Sequence, residues 1–170
     1  QDTDGSFGSD VRYSFMVIDL LHDLDALSSI NKTSAIEWLL ACEDLNGGFG
    51  AHPSCGPVLE YTFYAVKALK LLGAEDRINV NGLIKFVTEK QEPDGGWKSV
   101  YSQPTELYGC FLAVESLAAI DSINSVNITK VANYIIGCQN EDGGFWRSLS
   151  TAKYNEEIRF TYWAIRSLVN

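Results

Sequence analysis

The sequence predicts an all-α protein of stacked helical hairpins that curve into an α/α toroid or an open arc of one. A segment returns at a fixed spacing: Asn31 to Phe49, Asn79 to Trp97 and Asn127 to Phe145 are each shifted by 48 residues without a gap. A period of that size marks one supersecondary unit stacked on its neighbours. Each period holds two stretches with apolar residues at helical spacing. Each also holds a Gly-Gly pair followed by a ring: Gly47-Gly48-Phe49, Gly95-Gly96-Trp97 and Gly143-Gly144-Phe145. A fourth copy of that ending, Gln1 to Phe7, opens the chain.

The first stretch of each period is an amphipathic helix over Thr33 to Glu43, Val80 to Gln91 and Ile128 to Gln139. Its apolar stripe is Ile36, Leu39 and Leu40, then Ile84 and Val87, then Val131, Ile135 and Ile136. Asn31, Asn79 and Asn127 suit the helix start, where a side-chain oxygen accepts from an orphan backbone N–H. Ser34 with Glu37 offers an alternative capping box in the first unit. Asn31-Lys32-Thr33 and Asn127-Ile128-Thr129 also match the glycosylation acceptor pattern. Asn79 recurs in the same place without that pattern, so capping is the better explanation.

Adjacent glycines after a helix supply the left-handed conformation that ends it and permit close backbone approach. The ring that follows is expected to pack into the hole the glycines leave. A phosphate-cradling loop is excluded, because no Lys-Ser/Thr or further glycine follows at the required spacing. The second stretch is more apolar and aromatic: Val11 to Leu24, Leu59 to Leu72, Glu106 to Ile120 and Glu157 to Val169. Apolar residues spread around much of each helix, as in an element covered on more than one side. The expectation is seven helices, three outer and four inner, joined by Gly-rich turns.

At 170 residues with 46% hydrophobic content, the chain reads as one domain spanning residues 1–170. A net charge of -9, with no run of Lys and Arg, argues against nucleic acid or an anionic membrane as partner. No apolar run approaches the roughly 18 residues of a membrane span. Cys42 and Cys138 hold equivalent positions two repeats apart, too far to bridge, so reduced, packed thiols in a cytoplasmic, reducing compartment are expected. The chain opens at Gln1 without Met, one motif-length before Phe7, which reads as a segment of something longer.

At these motifs the chain resembles the prenyltransferase/squalene-cyclase repeat family. Gln-x-x-Asp-Gly-Gly-Trp/Phe at Gln91 to Trp97 and Gln139 to Phe145, with variants from Gln1 and Glu43, carries the resemblance. The Gln91 copy is also similar to the Gln–Trp motif of triterpene cyclases. Asp10-Val11-Arg12-Tyr13-Ser14, and Gly47-Gly48-Phe49-Gly50 through Tyr61-Thr62-Phe63, resemble segments of protein prenyltransferase β subunits.

That resemblance implies a catalytic zinc, held by an Asp and a Cys two residues later at one inner-helix start and by a His of the next. Zinc lowers the pKa of a substrate thiol so that the thiolate attacks the prenyl carbon. On the aligned repeats these positions fall on Glu106-Leu107-Tyr108 and near Phe160. Glu106 alone is a metal candidate, since a phenol and a phenyl ring replace neither thiolate nor imidazole. Cys110, four residues on, shares a helix face with Glu106. No imidazole joins them: His22 falls late in an inner helix and His52 in a loop. The expectation is therefore no catalytic set, no zinc and no other cofactor.

The family's basic cluster for diphosphate is likewise missing, with Val58 where its His would fall. Arg12 and Arg159, at inner-helix starts, are candidate anion binders, against ordinary pairing with Asp10 and Glu157. The cyclase half of the family protonates alkenes with crowded carboxylates. Here only Asp23-Leu24-Asp25 beside His22 is available, which reads as a solvated helix end.

Aromatic residues remain. Tyr13, Phe15, Tyr61, Phe63, Tyr64, Tyr108, Phe111, Phe160, Tyr162 and Trp163 all fall on inner helices. The resemblance implies a cavity for isoprenoid chains, whereas packing between the layers accounts for most such rings. The ligand-binding candidates are Arg12, Tyr108, Phe160 and Arg159. The leading expectation is a catalytically degenerate prenyltransferase-like domain that binds an isoprenoid, another apolar ligand, a partner subunit or itself. The alternatives are a transferase completed by a missing segment or a second chain, and a structural spacer.

Overall fold

The computed structural model describes residues 1–99, 104–150 and 158–169. Among them lie seven α-helices: α1 (Val11–Asp23), α2 (Lys32–Ala41), α3 (Leu59–Leu71), α4 (Val80–Thr88), α5 (Leu107–Ala119), α6 (Ile128–Gly137) and α7 (Ile158–Val169). No strand forms among the described residues; only isolated antiparallel bridges do, such as Glu43 with Phe49 and Gln139 with Phe145. α2, α4 and α6 fall on the stretches that the sequence assigns to the outer set, and α1, α3, α5 and α7 on those it assigns to the inner set. None is long and apolar enough to cross a membrane. Residue 157, where the sequence starts the last helix, lies outside the described residues.

The chain divides into two compact units, Gln1–Phe86 and Val87–Asn170. In the first, α1 packs on α3 around Val11, Ile18, Phe63 and Val66. In the second, α5 packs on α7, and nearly every side chain of α5 is buried. The expectation of inner helices covered on more than one side holds for α5. α1 leaves Tyr13, Met16 and Leu20, with Leu24 at its C-cap, exposed along one stripe.

Each outer helix starts where the Asn predicts. Asn31 Oδ1 accepts from Ser34 N–H (3.1 Å), Asn79 Oδ1 from Gly82 N–H (3.0 Å) and Asn127 Oδ1 from Lys130 N–H (3.0 Å). The alternative Ser34–Glu37 box does not form, because Glu37 pairs with Arg77 at 2.8 Å.

The outer helices stop earlier than predicted, at Ala41, Thr88 and Gly137. The residues expected in their last turn leave the helix to tie the Gly-Gly turn. Gln1, Gln91 and Gln139 each donate from Nε2 to the carbonyl of the first glycine, at 2.9, 3.1 and 3.3 Å. The Asp of the motif accepts from the N–H two residues on: Asp4 from Ser6, Asp94 from Gly96 and Asp142 from Gly144, each at 3.0 Å. Where Asn46 replaces that Asp, Asp44 Oδ1 accepts from Asn46 N–H instead (2.8 Å). The leading residue also reaches the cap of the next outer helix. Gln1 Oε1 accepts from Asn31 N–H (2.9 Å) and Glu43 Oε1 from Asn79 N–H (2.8 Å).

The first glycine of each turn carries the tightest constraint. Gly5, Gly47, Gly95 and Gly143 all have φ between +91° and +100°. A Cβ on Gly5, Gly47 or Gly95 would collide with the backbone of Ser34, Gly82 or Lys130, each three residues past an Asn cap. The hole beside the second glycine is filled otherwise than expected. A Cβ on Gly48 would lie 2.8 Å from the Phe86 ring, and one on Gly96 2.9 Å from the Tyr134 ring. The covering ring belongs to the next outer helix, seven residues past its Asn cap. The ring of the motif itself goes to the core: Phe49 and Trp97 are fully buried, and Trp97 Nε1 donates to Val87 O (2.9 Å).

α1, α3 and α5 end in a second periodic device. Asp25, Gly73 and Asp121, 48 residues apart, are all left-handed, at φ 52°, 71° and 54°. The next N–H then closes back onto the helix, Ala26 to Leu21 O (2.7 Å) and Ala74 to Leu69 O (2.9 Å). Asp in two of the three copies hides the signal that glycine would give.

Gly47→Ala is expected to destabilise the chain by about 2 kcal/mol or more, through clash and left-handed strain together. Gly56→Ala, where a Cβ meets open space, is expected to be close to neutral. Urea denaturation of the two variants checks this, and equal midpoints would contradict the seat described for Gly47.

Candidate functional site

The inner-helix start that the family resemblance singles out is built by returning loops. Glu106 is extended (φ -149°, ψ 160°), and its N–H donates to Trp97 O (3.0 Å). Leu107 N–H, the first of α5, donates to Arg147 O (2.9 Å). In the first unit Val11 N–H donates to Ala51 O (2.9 Å), the same contact 96 residues earlier. What differs is the side chain that the loop brings. Arg147 Nε donates to Glu106 Oε2 at 2.5 Å, and Ser99 Oγ donates to Glu106 Oε1. Glu106 is 3% exposed, so an ion pair and a hydroxyl compensate a buried carboxylate.

Its counterpart in the first unit behaves differently. Asp10 Oδ1 caps α1, accepting from Arg12 N–H (2.8 Å) and Tyr13 N–H (3.4 Å). Glu106, one methylene longer, makes no side-chain cap of α5. Cys110 is fully buried, and desolvation pushes its thiol up, so it stays protonated at neutral pH. Cys42 and Cys138 are buried too, each thiol pushed up to about 12 by desolvation. All four cysteines are unpaired, as expected for reduced thiols.

Three of the candidate ligand residues meet around Trp163. The Tyr108 ring lies 4.6 Å from that of Trp163, and Phe160 lies 5.7 Å from it. The Arg159 guanidinium sits over Phe160 (5.6 Å) and Trp163 (6.0 Å). Phe111 joins Tyr108 and Tyr162 at 6.4 and 6.0 Å. Phe160 is buried and Tyr108 half-buried. Trp163, in the sequence one inner-helix ring among many, is the centre. Its spacing, three residues after Phe160 on one helix face, was the available signal. Glu157, the candidate partner of Arg159, lies outside the described residues.

Arg12 belongs to the first unit. Its Nη2 donates to Tyr61 OH (3.2 Å) and its guanidinium stands 5.7 Å from the Tyr61 ring centre. The hydrogen bond to Tyr61 raises its pKa further above the usual range. Pairing with Asp10 is not what holds it, since that carboxylate caps the helix. Phe15, Phe63 and Tyr64 form an aromatic cluster in the same unit, with centroids 5.2 to 6.1 Å apart.

The histidines stand apart from both clusters. His22 Nδ1 is 3.7 Å from Asp23, and His52 Nε2 is 3.1 Å from Cys55 Sγ in an exposed loop. No three His, Cys, Asp or Glu side chains converge among the described residues. At the aligned positions the donors are one carboxylate neutralised by arginine, a phenol whose ring lies tilted against an indole, and a buried phenyl. That set does not fit a three-ligand zinc site.

The prenyltransferase alpha-alpha toroid domain matches residues 1–98 and 59–169, and the chain belongs to this family. No curated protein matches the sequence. Among solved structures, Candida albicans protein geranylgeranyltransferase-I complexed with GGPP is similar at a TM-score of 0.80 and 22% identity. The match covers 94% of this chain and 48% of that one. The chain thus spans about half the length of the structure it matches, and at that identity the likeness bears on the fold.

Arg147→Met should destabilise by about 3 kcal/mol, because it strands a buried carboxylate. Adding Glu106→Leu should recover most of that loss. Chemical denaturation of the single and double variants gives the coupling, and strict additivity would show that the pair does not act as one.

Proposed function

We propose that this chain is a prenyltransferase-like repeat domain that binds an isoprenoid or another long apolar ligand on its inner-helix rings and lacks zinc-dependent transfer chemistry. One observation carries the reading: the carboxylate at the aligned ligand position is occupied by Arg147 and Ser99, beside the rings of Tyr108, Phe160 and Trp163. A cluster of rings without a thiolate or imidazole offers contact to apolar chains without a means to activate a thiol. Four unpaired cysteines support a reducing, cytoplasmic setting.

The rival reading is a working prenyltransferase whose site is completed by another segment or chain. Family membership favours it, as does the likeness to a geranylgeranyltransferase complexed with GGPP. Binding, metal analysis and a transfer assay together separate the readings. Titration with geranylgeranyl diphosphate, followed by tryptophan fluorescence, is expected to saturate, and Tyr108→Ala to weaken binding about tenfold. Metal analysis is expected to find no stoichiometric zinc, and no isoprenyl group should pass to peptide cysteines. Stoichiometric zinc that Glu106→Ala removes would restore the enzyme. Absence of both zinc and binding would leave the spacer.

Self-association is part of the same proposal, through the stripe of Tyr13, Met16, Leu20 and Leu24 on α1, each more than half exposed. Exposed apolar stripes of this kind mark interaction sites. Light scattering at micromolar concentration is expected to show a species larger than the monomer, and Leu20→Lys to abolish it. A monomer in both samples would contradict the contact.

A further inference from the structure

The residue that opens a Gly-Gly turn can serve two neighbours at once. Gln1 Nε2 donates to Gly5 O (2.9 Å), while Gln1 Oε1 accepts from the N–H of the Asn31 cap (2.9 Å). Gln91 and Gln139 make the first of these bonds too, to Gly95 O at 3.1 Å and to Gly143 O at 3.3 Å. The second turn opens on Glu43 instead. Its Oε1 accepts from the Asn79 N–H (2.8 Å), just as Gln1 Oε1 accepts from Asn31. The donor half is missing, because an ionised carboxylate has no hydrogen to give. Among the described residues no side chain donates to Gly47 O. This turn has also lost the bond from a motif Asp to the second glycine, and Asp44 Oδ1 accepts from Asn46 N–H (2.8 Å) in its stead.

We propose that Glu43 makes the second turn a proton-operated latch. Ionised, it holds only the Asn79 cap. Protonated, its second oxygen carries a hydrogen and donates it to Gly47 O, the bond that glutamine makes in the other three turns. The proton comes from solvent, since Glu43 is half-buried beside a buried Gly47. Burial of the carboxyl raises its pKa above the ordinary glutamate value, and the Asn79 N–H, which favours the charged form, opposes that rise. The charged groups on the surrounding elements are Asp44 in the turn, Lys32 and Glu37 on α2, and Asp76, Arg77 and Lys85 before or on α4. Glu37 and Arg77 pair with each other at 2.8 Å. A folded-state pKa above the unfolded one makes protonation stabilising. That contribution is complete below the unfolded value, near 4.5, and is lost as the pH rises through the folded one. At neutral pH the latch is therefore open, and backbone contact with Gly82 alone keeps Gly47 in its seat.

Glu43→Gln supplies the missing donor at every pH. It is expected to raise Tm by about 3 °C at pH 7, and the difference from the parent chain should shrink toward zero as the pH falls to 4. The reciprocal variant, Gln91→Glu, moves the device to the third turn. It should lower Tm by a similar amount at pH 7 and recover the loss in acid. In the parent chain, the Glu43 carboxyl carbon followed by NMR should titrate above the ordinary glutamate range, and the Gly47 carbonyl signal should move with it. A Glu43→Gln difference of equal size at pH 7 and pH 4 would overturn the inference. So would a Glu43 carboxyl that titrates at or below the ordinary range, or a Gly47 carbonyl that ignores its titration.

Discussion

The contact on which the other elements depend is backbone against backbone. A left-handed glycine at the end of one outer helix lies on the first turn of the next, so close that a single Cβ would enter a carbonyl group. Dispersion at that distance is small for each atom pair, and its value lies in fixing position. Once the two backbones touch, the Asn cap falls within reach of Gln1 or Glu43, and a ring seven residues on falls over the second glycine. Side-chain packing alone would tolerate sliding; a glycine seat does not.

The seat also sets where the inner helices begin. From Phe49 the chain turns back, so that Val58 N–H donates to Phe49 O (3.0 Å) while Phe49 N–H donates to Thr62 Oγ1 (2.9 Å). In the second unit Glu106 N–H meets Trp97 O in the same way (3.0 Å). The residues before α3 and α5 are thus pinned to the buried ring of the motif. A functional side chain at that position inherits its placement from the repeat, and only its chemistry is left to vary. Asp10 there caps a helix, Val58 does neither, and Glu106 receives an arginine.

Most of the architecture was legible in the sequence because it recurs. Helix starts were legible from Asn31, Asn79 and Asn127, whose capping is a local event that needs no tertiary knowledge. Helix ends were less so, since Gln91 and Gln139 are good helix formers that leave the helix for a bond to a glycine carbonyl. The partner of the second glycine was misassigned for a related reason. Phe49 follows Gly48 in the chain, but Phe86 covers it in space. At the candidate site, alignment points to Glu106, Tyr108 and Phe160, whereas Arg147, and the central place of Trp163, emerge only from contacts. Arg147 reaches Glu106 across 41 residues and belongs to no motif.

Two buried carboxylates among the described residues of the second unit show why such partners matter. Glu106 meets Arg147 at 2.5 Å, and Glu115 meets Arg166 Nη2 at 2.6 Å. Each carboxylate is about 3% exposed, and each arginine arrives from a later segment. A buried charge costs several kcal/mol unless it is paired, so each pair stands or falls as a unit. Glu106 is therefore committed before any cation arrives. To ligate a metal it would have to release Arg147 and Ser99, and the nearby Cys110 thiol keeps its proton in the same apolar surroundings. The repeat that places a residue at the start of α5 remains intact, while the charge available there is consumed inside the fold. What that helix start still presents is the ring of Tyr108, tilted against that of Trp163.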